Sequence, residues 1–208
     1  MTTVAFDLDG TLLDSRERHR TVMKQVLDEL AVNNIDLSDM LAIKSEGKSN
    51  KDYLRLKGID EELLRIICSR WQKIIENREF LQEDTLYPDA LAFLNFLKDR
   101  NIRLILITAR NNREGLYEQI ENLGLAALLD EVHIVASGQD TVQEKCKILQ
   151  NSQAVIFIGD SEVDWEAAQK AAVNFLAVNR GFRNKAFWQS RSIQSFADFD
   201  KIKPQIQL

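Results

Sequence analysis

Five short apolar runs rich in β-branched side chains punctuate the chain, at residues 3–8, 103–108, 131–136, 154–159 and 174–178. Three of them are apolar without alternation, the pattern of parallel strands covered on both faces. The segments between the later runs read as crossover helices. Pro88 stands near the start of 89–100, Gly124 closes 113–123, and 162–172 repeats apolar residues at helical spacing. A strand followed by a helix, repeated, predicts an α/β fold with a doubly wound, Rossmann-like parallel sheet.

The first gap breaks this rhythm. Roughly ninety residues separate the first run from the second, several times what a crossover needs. The pattern inside the gap predicts helices at 16–31, 50–56 and 61–79, the last with Leu63, Leu64, Ile67, Trp71, Ile74 and Ile75 on one face. The expected organisation is a core domain made of 1–14 and 86–208, carrying an inserted α-helical domain over 15–85. After Arg183 the pattern predicts one or two weak helices.

Composition narrows the function classes. With 45% hydrophobic and 28% charged residues, 208 residues can bury a substantial core. The 27 Lys and Arg against 32 Asp and Glu leave a net charge of −5 and no basic field to hold a nucleic-acid backbone. The first ten residues, MTTVAFDLDG, reach two acids before a secretory signal could form, and no apolar run approaches membrane-spanning length. A cytoplasmic protein with neither nucleic-acid nor membrane partners is expected, as a monomer or homodimer. Cys68 and Cys146 lack the spacing of a redox or zinc pair and read as buried or neutral thiols.

In a doubly wound sheet the ligand site lies beyond the carboxyl ends of the strands, so the residues where each run stops carry the information. The first run ends in Asp7-Leu8-Asp9-Gly10-Thr11, the second in Thr108-Ala109-Arg110, and the fourth in Gly159-Asp160-Ser161, with Asp164 one helical turn later. Carboxylates gathered at one edge repel one another unless a cation neutralises them, and with no His or Cys cluster beside them the natural occupant is a hard ion such as Mg²⁺. His19 and His133 sit away from these strand ends in sequence, which disfavours a zinc site or a Ser-His-Asp triad. Asp7 and Asp9 can divide labour, one as nucleophile and the other exchanging a proton, while Gly10 allows a sharp turn whose N–H groups approach an anionic oxygen.

Asp7-Leu8-Asp9-Gly10-Thr11-Leu12, then Thr108, then a downstream Lys, then Gly159-Asp160-Ser161-Glu162-Val163-Asp164, resemble in order and placement the four motifs of haloacid-dehalogenase-like hydrolases. The helical insertion between the first two motifs resembles the cap of the phosphoglycolate-phosphatase-like subgroup. The resemblance implies that Asp7 attacks phosphorus and that Asp9 protonates the leaving oxygen and then activates water. It also implies that Asp7, Asp160 and the backbone carbonyl of Asp9 hold Mg²⁺, that Thr108 and Lys145 bind the phosphoryl oxygens, and that Asp164 supports the metal from behind. The third motif lacks the usual Lys-Pro pair, and both Lys145 and Lys147 are available. Lys145 is preferred because Ile148 and Leu149 follow it on a buried face.

Arg110 stands where many relatives have a small or amide residue, and Lys48 lies in a Lys-rich stretch, 44–51, of the insertion. Both are candidates to contact substrate. The reading is a phosphatase of a small phosphorylated metabolite. A phosphomutase of the same superfamily, or a catalytically idle module that keeps the fold for binding, are the alternatives.

Overall fold

The computed structural model describes residues 2–138 and 140–206. The chain opens with strand β1 (Thr3–Phe6) and a two-residue strand β2 (Leu13–Asp14). Then come helices α1 (Arg16–Glu29), α2 (Met40–Ser45), α3 (Asn50–Leu56), α4 (Glu61–Ile74) and α5 (Arg78–Leu81). Strand β3 (Thr85–Leu86) returns antiparallel to β2. Alternation follows: α6 (Ala90–Lys98), β4 (Arg103–Ala109), α7 (Arg113–Asn122), β5 (Glu131–Val135), α8 (Thr141–Asn151), β6 (Ala154–Gly159), α9 (Glu162–Ala171) and β7 (Asn174–Val178). The tail holds α10 (Lys185–Gln189), β8 (Ser195–Phe196) and α11 (Phe199–Ile202).

Among the described residues the main sheet has six strands in the order β5-β4-β1-β6-β7-β8, every pairing parallel. The fold is α/β and Rossmann-like. All five apolar runs form strands, the first two residues shorter than the pattern predicted. The uninterrupted apolar character of the central strands has a direct cause, since each is buried on both faces. Val4, Phe6, Leu104, Leu106, Ile156 and Ile158 face one core with α6, α7 and α11, and Ala5, Ile105, Ile107 and Phe157 face a second with α8 and α9.

The helices between β2 and β3 close on a third apolar cluster of their own, in which Val22 and Val26 of α1 meet Tyr53 of α3 and Leu64 and Ile67 of α4. Two features of this region differ from the sequence expectation. Residues 40–45 are helical, so Lys44 belongs to a helix and not to the loop around Gly47, and the long third helix stops at Ile74 with a separate turn at Arg78–Leu81. In the tail, β8 joins the sheet through two residue pairs, a pattern too short for periodicity to reveal.

Topology fixes where ligands can sit. The neighbours of β1 are β4 and β6, so the winding reverses at β1 and opens a crevice at its carboxyl end. Phe6 lies level with Leu106 and Ile158, which brings the residues just beyond the three strands to one edge. Phe6 itself is fully buried, edge-on to Phe93 and Phe199 at centroid distances of 6.1 and 6.4 Å. Phe6→Ala is expected to cost about 3–5 kcal/mol. Urea unfolding measures it, and a loss under about 1 kcal/mol would show that the site above does not depend on this packing.

Candidate active site

The turn after β1 is held by its own backbone. The N–H groups of Thr11 and Leu12 both return to the Leu8 carbonyl, at 3.1 and 2.9 Å, and Asp7 is anchored by its N–H to the Ile158 carbonyl of β6 at 2.9 Å. Gly10 has φ +80°, and a side chain there would collide with the Asp160 carboxylate. Its N–H donates to the Leu13 carbonyl at 2.7 Å. The expectation that this N–H faces an anionic oxygen is therefore corrected. Gly10 serves close approach, and Gly181 does the same, packed against Gly10 and the same Asp160 carboxylate oxygen.

Asp7, Asp160 and Asp164 each offer a carboxylate oxygen, and these oxygens lie within 4.8 Å of one another, all three residues being buried. Lys145 reaches them from α8, donating to Asp7 Oδ1 at 2.7 Å and Asp164 Oδ1 at 2.6 Å. Lys147, two residues on and so on the opposite face of α8, is exposed. The other oxygen of Asp164 accepts from the Ser161 hydroxyl at 2.6 Å, closing a capping box on α9. Asp160 accepts from the Phe182 N–H. Thr108, at the end of β4, is 1% exposed and lines the same cleft.

Three carboxylates against one ammonium leave an excess of negative charge, which raises the proton affinity of Asp7 and Asp160. Burial, reinforced by Asp164, pushes the Asp7 carboxyl up to about 7 despite Lys145. Burial and the charges of Asp7 and Asp164 push Asp160 well above the carboxylate range. An all-oxygen, buried, under-neutralised donor set fits a hard divalent cation and has the wrong ligands for a soft one.

Asp9 belongs to a second charge cluster. Arg110 grips it with two bonds, Nε to Oδ2 at 2.6 Å and Nη2 to Oδ1 at 2.8 Å, and Arg18 of α1 donates to Oδ1 as well. Arg18 also donates to Asp84 Oδ1 at 3.0 Å, and Gln119 Nε2 donates to Asp84 Oδ2 at 2.8 Å. Burial alone would raise the Asp9 carboxyl. Arg110 and Arg18 outweigh it and hold the group well below its ordinary value. Asp84 goes the other way, to about 6, chiefly through burial.

The cleft between these clusters has a volume of about 510 Å³. It brings together Asp7, Asp9, Thr108, Arg110, Lys145 and Asp160. Asp164 stands behind Lys145, and Lys48 is exposed and is not among the residues lining the cleft. Sequence reasoning missed Arg18, Asp84 and Gln119, and it set His19 aside as distant, yet His19 lines the cleft because α1 starts two residues after β2 and lies over the strand ends. One signal for Arg18 was present: it continues the buried stripe of α1 through Val22 and Val26 at four-residue spacing.

The fold and this set of strand-end residues define a class of hydrolase. The family pattern described as haloacid dehalogenase-like hydrolase matches residues 4–178, and the chain belongs to that family. The chain is 25% identical over 214 residues to a phosphoglycolate phosphatase of Rhodobacter capsulatus, spanning 95% of this chain and 93% of the relative. A phosphoglycolate phosphatase of Nitrosospira multiformis is 26% identical over 218 residues, spanning 98% and 91%. A haloacid dehalogenase-like family hydrolase from Streptococcus pneumoniae superposes with a TM-score of 0.80 at 19% identity, covering 100% of this chain and 99% of the other, which shows a shared fold. Among the described residues no helix is long and apolar enough to cross a membrane.

The raised carboxyls have a consequence for the metal-free protein. Asp7 moves from 3.8 in the unfolded chain to about 7 in the fold, and Asp160 and Asp84 move in the same direction, so the folded state holds these protons more tightly. That contribution is full below about pH 4 and is lost as pH rises through about 7. The metal-free melting temperature is expected to fall between about pH 5 and 7.5, and Mg²⁺ to raise it more at the upper pH than at the lower. Differential scanning fluorimetry with EDTA and with Mg²⁺ measures both slopes. An equal Mg²⁺ effect at the two pH values would contradict a metal held by these carboxylates.

Proposed function

We propose that this chain is a cytoplasmic, Mg²⁺-dependent phosphatase that hydrolyses a small phosphomonoester through a phospho-aspartate on Asp7, the helices between residues 15 and 85 covering the cleft as a cap. The observation that carries this reading is the convergence of Asp7, Thr108, Lys145 and Asp160 in one buried cleft at the switch point of the sheet.

Asp7 offers its free oxygen to phosphorus while Lys145 holds the other, so the nucleophile is oriented before substrate arrives. Attack forms the aspartyl phosphate and breaks the ester P–O bond, and the leaving alkoxide takes a proton from Asp9. Water then attacks the aspartyl phosphate, Asp9 takes up its proton, and inorganic phosphate leaves with Asp7 restored. Thr108 and Lys145 donate to the phosphoryl oxygens as charge builds on them. Asp7, Asp160 and the backbone carbonyl of Asp9 would hold Mg²⁺, which supplies Lewis-acid polarisation of the phosphoryl group. With two guanidinium groups on it, Asp9 is held ionised and binds a proton weakly. Delivering a proton in the first half-reaction requires that it be relieved of one of them.

Phosphate release from p-nitrophenyl phosphate tests the proposal. Turnover is expected to require Mg²⁺ and to fall by at least about 10³ in Asp7→Asn, which keeps the shape of the side chain and removes the nucleophile. Trapping of a phosphorylated protein by acid quench is expected in the native chain and not in the variant. Turnover that survives in Asp7→Asn would refute the covalent step, and a folded protein with no turnover under any Mg²⁺ concentration would refute the phosphatase reading.

A further inference from the structure

The cleft has two ends of different chemistry. The inner end carries the carboxylates and Lys145. The outer end is walled by Trp71 of α4, Phe182 from the segment after β7, and His19 of α1, each partly exposed. The His19 ring lies 5.1 Å from that of Trp71 and 4.4 Å from that of Phe182, so the three form a continuous aromatic surface. Gln72 stands beside Trp71 with its amide exposed.

We propose that this outer end receives an uncharged alcohol bearing a planar ring, so that the preferred substrates are phosphomonoesters of nucleoside type and not phosphate esters of small acids. The inference rests on the phosphatase reading and names the substrate class of the same site. Three observations support it.

The first is charge. A phosphorylated small acid brings a carboxylate that must meet a cation within a buried cleft, because an unpaired buried charge is costly. Among the described residues lining the cleft the cations are Arg18, Arg110 and Lys145, and each already faces carboxylates of the protein: Asp9 and Asp84, Asp9, and Asp7 with Asp164 respectively. One N–H group of Arg110 has no partner and is open to a substrate oxygen, while the charge of the guanidinium is already matched by Asp9. Lys44 does not line the cleft. Its ammonium sits behind His19, bonded to His19 Nδ1 at 3.2 Å and to Asn50 Oδ1 at 2.6 Å.

The second is the wall itself. With Lys44 on its Nδ1, His19 is held neutral by burial and by that neighbouring charge; the Lys44 ammonium backs the wall, 5.7 Å from the Trp71 ring centre and 5.4 Å from that of Phe182, while the rings line the cleft. Such faces stack planar rings, and an exposed amide beside them can reach a ring edge. The third is size: about 510 Å³ is in the range that encloses a ring-bearing ligand and far exceeds what a two-carbon ester fills.

The test compares kcat/KM for adenosine 5′-monophosphate and for 2-phosphoglycolate in the native chain, in Trp71→Ala and Phe182→Leu, and in Trp71→Phe. The native chain is expected to favour the nucleotide by at least about tenfold. Removing either ring is expected to cut that preference by about two- to tenfold, mainly through KM, and Trp71→Phe to restore most of it. Equal or better use of 2-phosphoglycolate overturns the inference, as does a nucleotide preference indifferent to both Trp71→Ala and Phe182→Leu. Equilibrium binding of the two esters to Asp7→Asn separates this inference from the one beneath it. A native chain that hydrolyses neither, in a protein whose Asp7→Asn form still binds the nucleotide more tightly, loses the phosphatase reading and keeps the substrate class. One that binds 2-phosphoglycolate at least as tightly loses the class.

Discussion

The ammonium of Lys145, wedged between Asp7 and Asp164, is the interaction on which the site depends. Three carboxylates buried at the edge of a sheet could not stay ionised there unaided, and a single lysine balances only part of their charge. That shortfall leaves Asp7 and Asp160 with raised proton affinity, so that either a bound proton or a bound cation relieves it. The backbone is arranged to permit the crowding. Gly10 and Gly181 both lie where a side chain would strike Asp160, so main chain from two separate segments packs directly against its carboxylate.

Asp9 shows the opposite balance. It is gripped by two arginines from different parts of the chain, Arg18 from the helices between β2 and β3 and Arg110 from the loop after β4. Arg18 in turn reaches Asp84, which precedes β3, and Glu76 accepts the N–H groups of Asn111 and Asn112 at the start of α7. Asp9 is thus the point at which the helical region and the sheet are tied together. A change in how the two pack changes the charge around Asp9, whereas Asp7 and Lys145 belong wholly to the sheet and its crossover helix.

This division explains what could be read in the sequence. The strands were legible because central parallel strands must be apolar on both faces, and the strand-end residues were legible because topology sends Asp7, Thr108 and Asp160 to one edge. Lys145 was legible through the buried face of its helix. Arg18, Asp84 and Gln119 were not, because Arg18 meets Asp84 across 66 residues and Gln119 meets it across 35, and only the four-residue spacing of Arg18 with Val22 and Val26 hinted at burial. The same limit applies to the lysines of the insertion. Without knowing that residues 40–45 form a helix, nothing in the pattern distinguishes Lys44, which turns inward toward His19, from Lys48, which faces solvent.

The two ends of the cleft therefore carry different amounts of information about function. The inner end is built by strand termini, whose positions the winding of the sheet itself fixes. The outer end is built by α1, α4 and the segment after β7, where a helix shifted by one turn exchanges an aromatic residue for a charged one. Kinship with phosphoglycolate phosphatases bears on the first end far more than on the second. At the second, the decisive quantity is whether a cation is left unpaired to meet an acid, and in this chain the cleft's cations are already engaged by its own carboxylates.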